Sequence, residues 1–186
     1  MKALADYIHS RGLRIGIYSS PGPLNCAHFA GSYGHEAHDA KLFASWGIDY
    51  LKYDLCGLRL IMRQQAPDAS VVQMRIMIAA YNKMDRALNA YGRPIVYSLC
   101  EYGWDAVLEW APSVGANLWR TTRGVQPVWE SIYSIINSRR ASRAPPDPAM
   151  GTIPLCSNWV TVSSTWRRTA PISPCGPAGR APAGRQ

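Results

Sequence analysis

Four polar residues stand just after the short apolar runs of this chain: Tyr18, Asp54, Glu101 and Arg120. Lys52 lies two residues before Asp54, so on a strand the two side chains share a face. A carboxylate held at a strand end can attack an electrophilic carbon and carry a covalent intermediate. Taken alone, Asp54 can also cap a loop or pair with Lys52. Which role applies depends on the elements that position it.

Those elements alternate. Leu4, Tyr7 and Ile8 share one helical face, and Gly12 ends that helix. Residues 13–18 (LRIGIY) read as a buried strand, and 19–33 as a loop rich in Gly, Pro and Ser. A helix over about 34–46 follows, with Leu42, Phe43 and Trp46 apolar, then a strand over 48–53. Met74, Met77, Ile78, Tyr81, Met84 and Leu88 recur at helical spacing, with the methionines as core filler. Gly92 stops that helix; 94–99 (PIVYSL) and 117–119 read as strands, and 128–136 as a closing helix. Strands separated by helices imply a parallel sheet with helices outside. Either a doubly wound sheet or part of a (β/α)8 barrel fits. No G-x-G-x-x-G or G-K-[ST] follows a strand, so dinucleotide and P-loop readings lack their anchor. The four polar strand ends would converge on one mouth of a barrel, which favours the barrel.

Composition narrows the classes further. Hydrophobic residues make up 47% and charged residues 17% of the 186, which is globular. No apolar run approaches the ~18–20 residues of a membrane span. The opening MKALADYIHSRG carries Asp6 and no small-residue cleavage site, unlike a signal peptide. Much of the net charge of +8 comes from the region after residue 138, which holds seven arginines and the single acid Asp147. That region has no lysine and only two aromatic residues, Trp159 and Trp166, among its arginines, which argues against a nucleic-acid arm. The five cysteines form no C-x-x-C or Cys/His cluster, so no zinc site is expected. His35 and His38 read as an outward helical face.

Three runs then become recognisable: GIYSSPGPLNCA, GSYGHEAHDAKLFASWGIDYLKYDLC and PIVYSLCEYGWDAVLEWAPSVGANLWRTT. In that order and spacing, over about 1–138, they resemble glycoside hydrolase family 27, the α-galactosidases and α-N-acetylgalactosaminidases on a (β/α)8 barrel. The resemblance implies retaining hydrolysis of terminal α-D-galactosides, with no metal or cofactor. It makes Asp54, in Y-L-K-Y-D-x-C, the nucleophile, and Lys52, Tyr18 and Arg120 groups that position the sugar. Glu101, Tyr102 and Trp104 fall on the loop that chooses between galactose and its N-acetyl relative. Cys26 and Cys56 match a pair that forms a disulfide beside the sugar site; Cys100 has no identified partner. An α-galactoside oligosaccharide or glycoconjugate is the implied ligand, with no nucleic acid and no membrane. Relatives of this family are often secreted, periplasmic or lysosomal.

Three features depart from the family pattern. The second carboxyl of a retaining glycosidase, acting as acid then base, is expected in W-R-T-T-G-D-I-x-D-x-W. Here the stretch reads WRTTRGVQPVW, so Gly124 takes the position of the acid/base aspartate, Arg123 that of a glycine and Pro127 that of a later aspartate. Glu130 is the nearest carboxylate in sequence but falls on the closing helix. Next, about four βα units are present where a barrel has eight. The chain therefore reads as a central fragment, with two strands expected ahead of residue 1. Open strand edges would invite self-association. Finally, 139–186 is rich in Arg, Pro, Ala and Gly, with eight of the 14 prolines. It reads as an irregular tail, disordered or frameshifted. Codons for 178–186 can be chosen that spell LLAAPLLAGN two nucleotides out of frame, in the manner of the family. The domain expectation is a partial catalytic barrel over 1–138 and this tail over 139–186. The rival functional expectation is a truncated, non-catalytic product with at most weak sugar binding.

Overall fold

The computed structural model describes residues 1–104, 106–141, 152–155 and 158–162. Four parallel strands form its centre: β1 (Gly16–Ser19), β2 (Tyr50–Asp54), β3 (Val96–Cys100) and β4 (Leu118–Arg120), paired in that order. Helix α1 (Lys2–Ser10) precedes β1, and α2 (Glu36–Trp46) links β1 to β2. Between β2 and β3 run α3 (Leu58–Gln65) and α4 (Ser70–Asn89). A short α5 (Val107–Trp110) and a 3-10 turn (Ala111–Val114) lead to β4, and α6 (Trp129–Ala141) follows it. This is the alternating α/β pattern of a partial barrel, as the periodicity implied. Helix α3 and the α5 turn lay in stretches for which periodicity gave no element.

Strand alternation divides the chemistry. Leu51, Tyr53, Tyr97 and Leu99 are buried on one face, among Met77, Tyr81, Met84 and Leu88 of α4. Tyr53, Tyr81, Tyr97 and Trp110 form an aromatic cluster with ring centroids 5.8–5.9 Å apart between neighbours. Such pairs add to plain area burial. The Tyr97 hydroxyl donates to the Tyr81 carbonyl at 3.1 Å. Met77 and Met84 are fully buried, as core filler should be. The other face of the same strands carries Tyr18, Lys52, Asp54, Ser98 and Cys100, in register across β1, β2 and β3.

Helix α1 forms where Leu4, Tyr7 and Ile8 indicated one, with its burial centred elsewhere. Leu4 and Tyr7 are 49% and 58% exposed, and the residue it buries fully is Ala5, with Ile8 partly buried. Ala5 faces Gly47, the left-handed cap of α2 with φ +79°. Two short strands also stand within the tail: β5 (Thr152–Leu155) and β6 (Asn158–Val162). They pair antiparallel with each other, and β6 pairs antiparallel with β4, Arg120 opposite Val160. Their sequences, TIPL and NWVTV, are rich in β-branched residues. Helix α6 runs into the first residues of the tail, and 142–151, 156–157 and 163–186, with Asp147, Cys156 and Cys175, lie outside the described residues.

Candidate functional site

Asp54 ends β2 and is 4% exposed. Its Oδ1 accepts a 2.9 Å hydrogen bond from the Tyr102 hydroxyl, and its Oδ2 lies 3.8 Å from Lys52 Nζ. Lys52 Nζ also sits 5.5 Å from the centre of the Tyr18 ring. The Tyr18 phenol is pushed up to about 12, by burial first and then by the Asp54 charge. Tyr102 is pushed up as well, again by burial and then by Asp54. Both phenols therefore stay protonated and can donate toward the carboxylate or a bound sugar.

Three loops hold these groups. The loop after β1 carries Cys26 and the loop after β2 carries Cys56, and the two are joined by a disulfide with Cα atoms 5.1 Å apart. Their backbones touch: a Cβ at Gly22 would overlap the chain at Gly57, and one at Gly57 would overlap Leu24. The Tyr18 hydroxyl lies 3.6 Å from Cys56 Sγ, and the Tyr102 hydroxyl is 3.9 Å and 4.0 Å from the two sulfurs. The disulfide and Asp54 thus share one corner. The third loop follows β3. Tyr102 there has φ +66°, and Gly103 has φ +76° with its Cα pressed on the Thr121 backbone, so only glycine fits.

The guanidinium of Arg59, on α3, lies 4.7 Å from the Tyr102 ring and 4.1 Å from that of Trp104. Arg120 lies 5.1 Å from the Tyr102 ring and donates to Cys100 Sγ at 3.4 Å. These cation–π contacts lock the ring whose hydroxyl meets Asp54. Beyond Arg59 and Trp104 a small depression is completed by Met62, Arg63 and Gln73.

The structure brings Tyr18, Lys52, Asp54 and Arg120 to one face, with Trp104 at its rim through the Arg59 stack. Glu101 is placed differently from a rim residue. It is fully buried, its Oε1 accepts the Gly103 N–H at 3.1 Å, and Oε2 has no partner among the described residues. Burial raises its carboxyl to about 7, against the pull of nearby backbone N–H groups and of Arg120. Gly124 is exposed, and a Cβ there would lie 2.9 Å from Arg120 Nη2. Glu130 is exposed on α6. Cys100, buried at the end of β3, is engaged by Arg120. Sequence reading passed over Arg59 entirely, because the rings it stacks on lie more than forty residues away in the chain. Among the described residues, Cys26, Asp54 and Cys56 are the group whose donor atoms come close enough to suit a metal ion.

Parallel βα units with a carboxylate and cations at the carboxyl ends of the strands have the arrangement of a barrel-type catalytic face. The family model described as Alpha galactosidase A matches residues 1–152, and the chain belongs to that family, glycoside hydrolase family 27. It is similar to an α-galactosidase of Cyamopsis tetragonoloba, 45% identical over 137 residues, which is 73% of this chain and 29% of the relative. Among solved structures, α-galactosidase I of Mortierella vinacea is similar at TM-score 0.58 and 38% identity, over 80% of this chain and 31% of that one. The Saccharomyces cerevisiae α-galactosidase with raffinose is similar at TM-score 0.58 and 36% identity, over 68% of this chain and 26% of that one. The chain thus spans about a third or less of the length of these relatives.

Proposed function

We propose that this site is the core of a retaining α-galactosidase, with Asp54 as nucleophile. The observation that carries the reading is the state of Asp54: buried, anchored through one oxygen by Tyr102, and facing Lys52 with the other. An Asp54 oxygen attacks the anomeric carbon from the face opposite the leaving group. The C–O bond to the aglycone breaks, and a galactosyl ester forms on Asp54 through an oxocarbenium-like transition state. Lys52, Tyr18 and Arg120 orient the sugar hydroxyls. Water then cleaves the ester with net retention. Terminal α-D-galactosides of oligosaccharides or glycoconjugates are the substrate class, and the match of relatives named as α-galactosidases supports galactose over its N-acetyl relative.

Gly124 offers no proton to the leaving group and no base to the water. General acid–base catalysis is worth roughly 10²–10⁴-fold. The chain should therefore act on aryl α-galactosides with good leaving groups and fail on natural ones. The same glycine favours a second reading, a non-catalytic product with weak sugar binding, whose segment after residue 138 is read in a shifted frame. A dinitrophenyl α-galactoside with added azide separates the two. The leaving group needs no acid and azide needs no base. Turnover that azide accelerates, giving α-galactosyl azide and vanishing in Asp54→Asn, supports the enzyme. Release independent of Asp54, or a β-azide product, rejects Asp54 as the nucleophile. No release at all selects the non-catalytic reading.

A further inference from the structure

The sulfurs of Cys26 and Cys56 and a carboxylate oxygen of Asp54 all lie within 4.8 Å of one another. In the oxidised chain the sulfurs are joined and ligate nothing. Cys26 is exposed, so a reductant can reach the bond. The two loops would stay together after it opens, because other contacts hold them. Gly22 and Leu24 of the first loop meet Gly57 of the second backbone to backbone, and the first loop is closed on itself by the Ser32 N–H donating to the Ser20 carbonyl at 2.8 Å. Asp54 is fixed from the strand side by the β2–β3 ladder and from the loop side by Tyr102.

We propose that reduction of Cys26–Cys56 turns this corner into a soft-metal site, in which both thiolates and the Asp54 carboxylate bind one zinc-class divalent ion. Two thiolates and one carboxylate are a donor set that Zn²⁺ and Co²⁺ accept tetrahedrally, with water in the fourth position. Donors on such an ion lie roughly 3.5 Å apart, given metal–ligand bonds of about 2.0–2.3 Å. Once the bond opens, the two sulfurs separate to that distance, and the Asp54 oxygen, within 4.8 Å of both, closes on them slightly. The chemistry balances: a dithiol reductant gives two electrons and two protons, its own S–S bond forms as the protein's breaks, and two thiols result. The ion then displaces both thiol protons to solvent. On the galactosidase reading above, the ion would occupy the nucleophile and silence the enzyme. The site itself does not depend on that reading.

The test is optical and needs no turnover. The full chain is reduced with a dithiol, freed of it by gel filtration under nitrogen, and titrated with Co²⁺. The expected result is thiolate-to-cobalt absorption that saturates at one equivalent and is bleached by Zn²⁺, while the oxidised chain shows none. Cys26→Ser should abolish the band, and Asp54→Asn should weaken Co²⁺ binding at least tenfold. Far-ultraviolet circular dichroism of the reduced wild-type chain is the reference for folding. Any of four outcomes overturns the proposal: no band in a folded reduced chain, loss of helical signal on reduction, a band that survives Cys26→Ser, or undiminished affinity in Asp54→Asn.

Discussion

Strand β2 has one aspartate just before its start and another at its end, and their surroundings are opposite. Asp49 receives the Ile15 N–H at 3.0 Å, Arg93 Nη2 at 2.8 Å, Arg14 Nη1 at 3.1 Å and a 2.7 Å contact from His9 Nε2. Arg93 further ties this corner to the Ile48 and Gly47 carbonyls. Burial works against the Asp49 charge, but the hydrogen bonds from His9, Ile15 and Arg14 outweigh it and lower the carboxyl. Asp54 accepts the Tyr102 hydroxyl, has the Tyr18 phenol close by and a lysine at longer range, with no backbone N–H or guanidinium bonded to its carboxylate among the described residues. A fully satisfied carboxylate holds structure together; an under-satisfied one retains lone pairs for a reaction. The fold thus locks the amino end of the strand and leaves the carboxyl end free to act.

That contrast predicts opposite responses to the same substitution. Asp49→Asn should cost about 1–3 kcal/mol of stability, since it turns two acceptors into one and faces an amide toward donors. Asp54→Asn should cost well under 1 kcal/mol while removing aryl galactoside turnover. Denaturant unfolding of both variants tests this, and equal losses of stability would erase the distinction. The low carboxyl of Asp49 contributes stability above the unfolded aspartate range near pH ~3.9, lost as pH falls through its folded value. The wild-type chain should therefore lose more stability on acidification than Asp49→Asn does.

Glu101 makes a third, intermediate case. Its folded value of about 7 lies above the unfolded one, so the folded state binds the extra proton. Its contribution is most favourable below pH ~4.3 and is lost as pH rises through about 7. Glu101→Gln should flatten the stability profile between those limits and stabilise the chain at pH 8. A profile unchanged by Gln would mean the carboxyl is not buried as described. The smallest effect belongs to Tyr102→Phe, which keeps the ring between its guanidinium neighbours and deletes one hydrogen bond to Asp54. At about 0.5–1.5 kcal/mol for such a bond, galactosyl transfer from the aryl substrate should change roughly two- to twelvefold. Stopped-flow release of the phenolate measures it.

The sequence was most legible where one period dominated. Helix α4 showed itself because Met77, Tyr81, Met84 and Leu88 mark a single face of a 20-residue helix. Helix α3, only eight residues long, begins straight after Gly57 and offered too few repeats to register. Helix α1 formed where Leu4, Tyr7 and Ile8 pointed to it, but its core contact is made by Ala5 and Ile8, while Leu4 and Tyr7 stay exposed. In the site, Tyr18, Lys52, Asp54 and Arg120 were readable because strand ends and alternation fix direction. Alternation from Cys100, the register partner of Asp54, also turns Glu101 toward the helix side, where its charge adds to the burial that raises Tyr81. Tyr102 was not readable as the partner of Asp54, since a positive φ in a loop reverses direction without any periodic signal.

The nearness of Gly124 to Arg120 decides what charge a carboxyl placed at position 124 would meet. Any side chain returned to position 124 would arrive against a guanidinium already committed to Cys100 and the Tyr102 ring. A carboxyl placed there would form an ion pair and hold its charge too firmly to donate a proton. Gly124→Asp would therefore give a salt bridge with Arg120 rather than a proton donor, unless the long arginine side chain swings aside.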